Sequence, residues 1–167
     1  MGKGDAIEKA IEIEAKIRDI YSRAYETCTD QAGRRFLAMM RDDEQYHMDY
    51  LYQRLEEWRD SGQIQSVAVE SSVPSEGQIK EQLDRLKKTM AADDRGVIQQ
   101  ILSNALHAEV QTSEFYEKMV SESDGITQKM FKRFLEIENA HVAAVQAELD
   151  YVMHTGYWFD IKEFDME

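Results

Sequence analysis

The chain has a single cysteine, Cys28, among 167 residues. One thiol excludes an internal disulfide, an iron–sulfur cluster and a four-cysteine metal knuckle. Proline is nearly absent, with one residue, and there are eight glycines. So few breakers argue against a many-turned β fold and for long helices. No apolar run approaches transmembrane length, and the opening Met1-Gly2-Lys3-Gly4-Asp5 has no signal-peptide core. A cytoplasmic location is the expectation. Basic residues are in deficit: 20 Lys and Arg face 33 Asp and Glu, a net charge of −13. Such a surface repels phosphate backbones and anionic lipid, so neither nucleic acid nor membrane is an expected partner. It attracts cations.

What is present is ordinary globular material, 43% hydrophobic and 32% charged, which argues against a disordered chain. The length fits one domain with a real core, residues 1–167. Apolar spacing is helical almost throughout. Ile7, Ala10, Ile11, Ile17, Tyr21, Ala24, Tyr25 and Cys28 share one stripe, and Asp30 with Gly33 marks a break. A second stripe runs through Phe36, Met40, Met48, Leu51, Leu55 and Trp58 to a stop at Ser61-Gly62. Residues 62–75 have no stripe and read as a connection along the outside of the fold. Ser75 and Gln78 form a capping box for a short helix reaching about Met90. Asp93 or Asp94 caps a third long helix with Ile98, Leu102, Ala105, Thr112, Tyr116 and Met119 on one face. After Ser123-Asp124-Gly125, a fourth carries Met130, Phe134, Val145, Leu149 and Val152 and ends at Gly156. An aromatic tail follows, with Tyr157, Trp158, Phe159 and Phe164 placed to cover the bundle's own flank or a partner subunit. The expected fold is all-α: a four-helix bundle over about 5–155, a crossover over about 62–92 and a tail over 156–167.

The informative residues are those that interrupt the stripes. Glu14 lies three after Ile11 and seven before Tyr21, so it points at the core. Glu44 lies four after Met40, and His47 four before Leu51. Glu109 lies four after Ala105, and Glu138 four after Phe134, with His141 four before Val145. Each long helix therefore turns a carboxylate inward near mid-length. Buried carboxylates without partners cost several kcal/mol each and repel one another. Either they pair with Arg or Lys, for which only Arg18 and Arg41 lie near the stripe edges, or they bind cations. Two divalent metals would balance four carboxylates with both histidines neutral, which favours a dinuclear site.

One E-x-x-H motif is weak, since about half a match is expected by chance from this composition. Two copies in matching places are stronger. Glu14 precedes Glu44 by 30 residues and Glu109 precedes Glu138 by 29. Tyr21 and Tyr116 each follow their Glu by seven, in EAKIRDIY and EVQTSEFY. The two halves read as an internal repeat offset by about 95 residues.

This Glu … E-x-x-H … Glu … E-x-x-H pattern resembles the ferritin-like superfamily of di-iron carboxylate proteins. Within it the chain is most similar to rubrerythrin-type proteins, through the strings DDEQYHMDYL and AEVQTSEFYEKM. The resemblance implies a ferritin-like four-helix bundle with two iron ions, for which Zn or Mn can substitute. It implies Glu14, Glu44, His47, Glu109, Glu138 and His141 as ligands. Tyr21 and Tyr116 are placed either to hydrogen-bond those carboxylates or simply to fill the core. Asp43 either orients His141 from the opposite helix or is a solvated acid; Ile137 holds the matching place in the second half. His107, about 200° from Glu109, and His154, at a helix end, read as surface residues.

Two features depart from the resemblance: there is no C-terminal rubredoxin module, and Thr112 stands where a further glutamate is usual. The expected function is a non-haem di-iron oxidoreductase that oxidises Fe(II) with O₂ or reduces H₂O₂. Electrons would come from a separate donor protein, and a homodimer is the expected assembly. Iron storage or metal buffering, or a structural bundle holding a redox-silent metal, is the alternative.

Overall fold

Five helices account for almost all of the described residues. The computed structural model describes residues 2–85, 95–156 and 158. Helix α1 spans Lys3–Thr27, α2 Gln31–Ser61, α3 Glu76–Arg85, α4 Arg95–Glu122 and α5 Gly125–Thr155. The fold is all-α, with no strand among the described residues. None of the described helices is long and apolar enough to cross a membrane. Short turns fold α2 back along α1 and α5 back along α4. Contacts between the pairs run in opposite senses: Tyr21 meets Glu109 while Glu14 meets Tyr116, and Glu44 meets His141 while His47 meets Glu138. Thus α1 is antiparallel to α4, and α2 to α5.

The ends of the helices follow from local chemistry. Asp30 caps α2 by accepting the Gly33 N–H at 3.0 Å. At α3 the capping box is formed: Ser75 N–H donates to Gln78 Oε1 at 2.9 Å, and Gln78 N–H to Ser75 Oγ at 3.3 Å. Gly62 ends α2 at φ 71°, a left-handed conformation that costs a residue with a Cβ about 1–2 kcal/mol. The Asp93 or Asp94 cap, and α3 beyond Arg85, lie outside the described residues.

Gly33 is not a break. It sits inside α2, and an added Cβ there would collide with the Trp158 indole and come 2.7 Å from Cys28 Sγ. Trp158 also lies 6.1 Å from Phe36, ring centre to ring centre. This tail residue therefore covers the bundle's own flank. Tyr157, Phe159 and Phe164 lie outside the described residues.

The crossover is likewise tighter than its sequence suggested. Ile64, Val69 and Val73 are buried, so this segment is not merely an outer connection. Its carbonyls are held from two helices. Tyr50 donates to Val67 O at 2.6 Å, and Arg133 Nε to Val69 O at 3.0 Å.

Two apolar clusters make the core. One contains Ile17, Ala24, Phe36, Met40, Leu102, Ala105 and Val145. The other contains Ile7, Ile11, Met48, Leu51, Met119, Phe131 and Phe134. On every long helix the gap between them falls at the same height: near residue 14, residues 43–47, residue 109 and residues 138–141. Each large apolar side chain buried above and below this gap stabilises the fold by about 1.5–3 kcal/mol. That burial is what offsets the polar layer between them.

Candidate metal centre

The gap is filled by acids and imidazoles. Glu14 comes from α1, Glu44 and His47 from α2, Glu109 from α4, and Glu138 and His141 from α5; all six are fully buried. The i, i+3 spacing puts each Glu–His pair on one helix face. Donor atoms of Glu14, Glu44, His47 and Glu138 lie within 4.8 Å of one another, and so do those of Glu44, Glu109, Glu138 and His141. Glu44 and Glu138 belong to both groups.

The orientation of each side chain is set by what holds its far side. Tyr21 donates to Glu109 Oε1, and Tyr116 donates to Glu14 Oε1. Each of these acids is tied by one oxygen, and its other oxygen, Oε2, has no hydrogen-bond partner. Both oxygens of Glu138 and Oε1 of Glu44 are also unpartnered. The imidazoles turn Nδ1 to the same space. His47 Nδ1 lies 3.4 Å from Glu44 Oε2 and 3.5 Å from Glu14 Oε2. His141 Nδ1 lies 2.9 Å from Glu44 Oε1 and 3.7 Å from both Glu109 Oε2 and Glu138 Oε2. The 2.9 Å approach is close but misaligned, and neither atom of it makes a hydrogen bond. The two rings stack, with centroids 5.5 Å apart. Phe134 packs edge-on against His47 at 5.4 Å and stacks on Tyr116 at 5.0 Å, forming an apolar wall.

Asp43 is buried, not solvated. Its Oδ2 lies 2.8 Å from His141 Nε2. The crossover holds it in place: Ser71 Oγ donates to Oδ2 at 2.6 Å, and Ser72 donates to Oδ1 through N–H at 2.7 Å and Oγ at 3.0 Å. Ser71 and Ser72 were missed by sequence reasoning, because nothing periodic marks a loop residue that reaches a helix.

Other candidates lie elsewhere. Arg18 pairs with Asp19 and Gln45, and Arg41 with Asp42, so neither neutralises the cluster. His107 and His154 are exposed. Thr112 is buried, but its hydroxyl donates back to Ala108 O at 2.9 Å. An overlooked buried cation is Arg54, which pairs with Glu57 at 2.8 Å and lies over the Tyr50 ring, away from the acids.

The crowding shows in the ionisation of the cluster. Burial, reinforced by the charge of Glu14, pushes Glu44 up to about 8 despite nearby His141. Burial likewise drives Glu138 far above the usual carboxylate range. Burial opposes a charge on His47, but the carboxylates of Glu14 and Glu44 beside its Nδ1 win and raise it to about 10. His141 is raised well above its ordinary value the same way, by Glu44, Glu138 and Glu109 against burial. Burial would raise Glu14, yet His47 and Glu44 hold it below its usual value. Asp43 is also lowered, because His141 outweighs burial. Tyr21 and Tyr116 stay phenols, held protonated by burial and by the carboxylates they face. These directions all come from crowding acids together out of water, and divalent cations would relieve the same crowding.

That donor set fits hard or borderline divalent metals, which take carboxylate oxygen and imidazole nitrogen together. Comparison with protein-family models, with curated proteins and with solved structures finds no match for this chain.

Proposed function

We propose that the chain is a ferritin-like, rubrerythrin-type di-iron oxidoreductase. Glu14, Glu44, His47 and Glu138 would hold one iron, and Glu44, Glu109, Glu138 and His141 the other. The observation that carries this reading is the set of unpartnered buried atoms. Six buried atoms of five residues, from four helices, lack hydrogen bonds in one space: Glu14 Oε2, Glu44 Oε1, Glu109 Oε2, both oxygens of Glu138, and His141 Nδ1. His47 adds its Nδ1 to the same space, 3.5 Å from Glu14 Oε2, and turns Nε2 toward Asp43. A buried polar atom left unpaired costs about 1–3 kcal/mol, so such a concentration in a folded core calls for a ligand.

When bound, the iron pair would supply electrons to O₂ or H₂O₂ and open positions at which the oxidant is taken up. The chain's own part is to bind, orient and exclude water. Tyr21 and Tyr116 fix one oxygen of Glu109 and Glu14 and leave the other for metal. His141 is oriented by Asp43. Phe134 and the two apolar clusters keep the site dry. Electrons for turnover would come from a separate donor protein.

The test is an anaerobic Fe(II) titration of the metal-free protein, followed by H₂O₂ or O₂ in separate samples. The expected result is two irons per chain, oxidised together faster than free Fe(II) in the same buffer. Bound iron that is oxidised no faster than free iron would remove the oxidoreductase reading.

A further inference from the structure

Resting on that dinuclear reading, we propose that the two metal positions are unequal, and that Asp43, clamped by the crossover, makes them so. The position served by Glu109 and His141 fills first and binds more tightly. The position served by Glu14 and His47 is the weaker, exchangeable one.

Both imidazoles turn Nδ1 toward the acids and Nε2 toward the same carboxylate. They do not receive it equally. His141 Nε2 lies 2.8 Å from Asp43 Oδ2, whereas His47 Nε2 lies 3.6 Å away and makes no hydrogen bond. The reason is the capacity of the acceptor. A carboxylate offers about four lone-pair positions. Those of Asp43 are taken by the Ser71 hydroxyl, the Ser72 N–H, the Ser72 hydroxyl and His141. No position is left for His47.

The asymmetry is built into the chain and does not depend on one rotamer. The repeat that places Glu44 opposite Glu138 places Ile137 where Asp43 stands, so the second half has no equivalent acid. The crossover that carries Ser71 and Ser72 is itself anchored by Tyr50 and Arg133 and by burial of Val69 and Val73. An Nε2–H held by a carboxylate fixes the tautomer that leaves the Nδ1 lone pair for metal, and it raises the basicity of that nitrogen. His141 has this support and His47 lacks it. Its ring instead meets the edges of Phe134 and Tyr46. Losing such a partner typically costs a metal site about 10–100-fold in affinity, which sets the scale of the expected difference.

The experiment titrates the metal-free full chain with Co(II) alone, followed by calorimetry and by the Co(II) absorption band. The wild type should show two steps separated by about tenfold or more. His141→Ala should remove the tighter step, and His47→Ala the weaker. Asp43→Asn should weaken the tighter step and bring the two together. Ser72→Ala, at an exposed position that a core defect does not confound, should narrow the gap in the same sense. Two equal steps in the wild type, or a tighter step that survives His141→Ala, would overturn the proposal. So would a Ser72→Ala gap equal to that of the wild type. Absence of any Co(II) binding overturns the metal reading itself, and this inference with it.

Discussion

Tyr21 of α1 donates its phenol proton to Glu109 of α4, across 88 residues of sequence. Tyr116 makes the reciprocal bond to Glu14, across 102 residues. The two bonds cross-link α1 and α4 on either side of the acidic layer. Removing one partner of a buried hydrogen bond costs about 1–3 kcal/mol, and both phenols are fully buried. Tyr21→Phe and Tyr116→Phe should therefore each lower stability by about 1–3 kcal/mol, measured by urea unfolding. Unchanged midpoints in both variants would show that the bonds hold nothing.

Glu44 and Glu138 are common to both four-residue groups, whereas Glu14 belongs to one. Glu44→Ala or Glu138→Ala should abolish binding of the metal pair. Glu14→Ala should leave one metal per chain. Metal content after gel filtration measures this, and equal stoichiometry in all three variants would contradict the shared role.

Metal-free stability should fall as pH rises. Glu44 is raised from 4.5 to about 8 and His47 from 6.5 to about 10, so the folded chain holds protons that the unfolded chain releases. Their contribution is complete below the unfolded values and is lost as pH climbs through the folded ones. Asp43 and Glu14 are lowered and act in the opposite sense, losing their contribution only in acid. Bound metal would replace the protons, so the melting-temperature gap between loaded and metal-free protein should widen from about pH 6 to about pH 9. A constant gap over that range would mean the acids do not share one cavity.

Gly33→Ala should expel Trp158 from its seat, because the new methyl meets a rigid ring and not a flexible chain end. The cost should be about 1–3 kcal/mol, with a red shift of tryptophan emission as the indole enters water. Emission identical to wild type would place Trp158 elsewhere.

Much of this was legible in the sequence, for a local reason. Helical periodicity is a short-range signal, so the stripes through Ile7 to Ala24 and Phe36 to Leu55 reported the buried faces directly. Glu14, Glu44, Glu109 and Glu138 then stood out as acids on apolar faces, and the structure brings all four together with His47 and His141. What stayed hidden depends on long-range approach. Gly33 reads locally as a breaker, but its meaning lies in Trp158, which arrives from the far end of the chain. The Ser71–Ser72 clamp joins a segment without periodicity to an acid 28 and 29 residues away. Arg54 was passed over because its burial rests on a pairing with Glu57 and a stack on Tyr50 that spacing alone does not announce.

The central claim is that these six side chains enclose two metals. The most direct measurement is a crystal structure of the iron-loaded protein, with anomalous difference maps recorded at the iron edge. The account predicts two peaks in the polar layer, with Glu44 and Glu138 reaching both, His47 bound to one and His141 to the other. A single peak, or none, in the polar layer would contradict it.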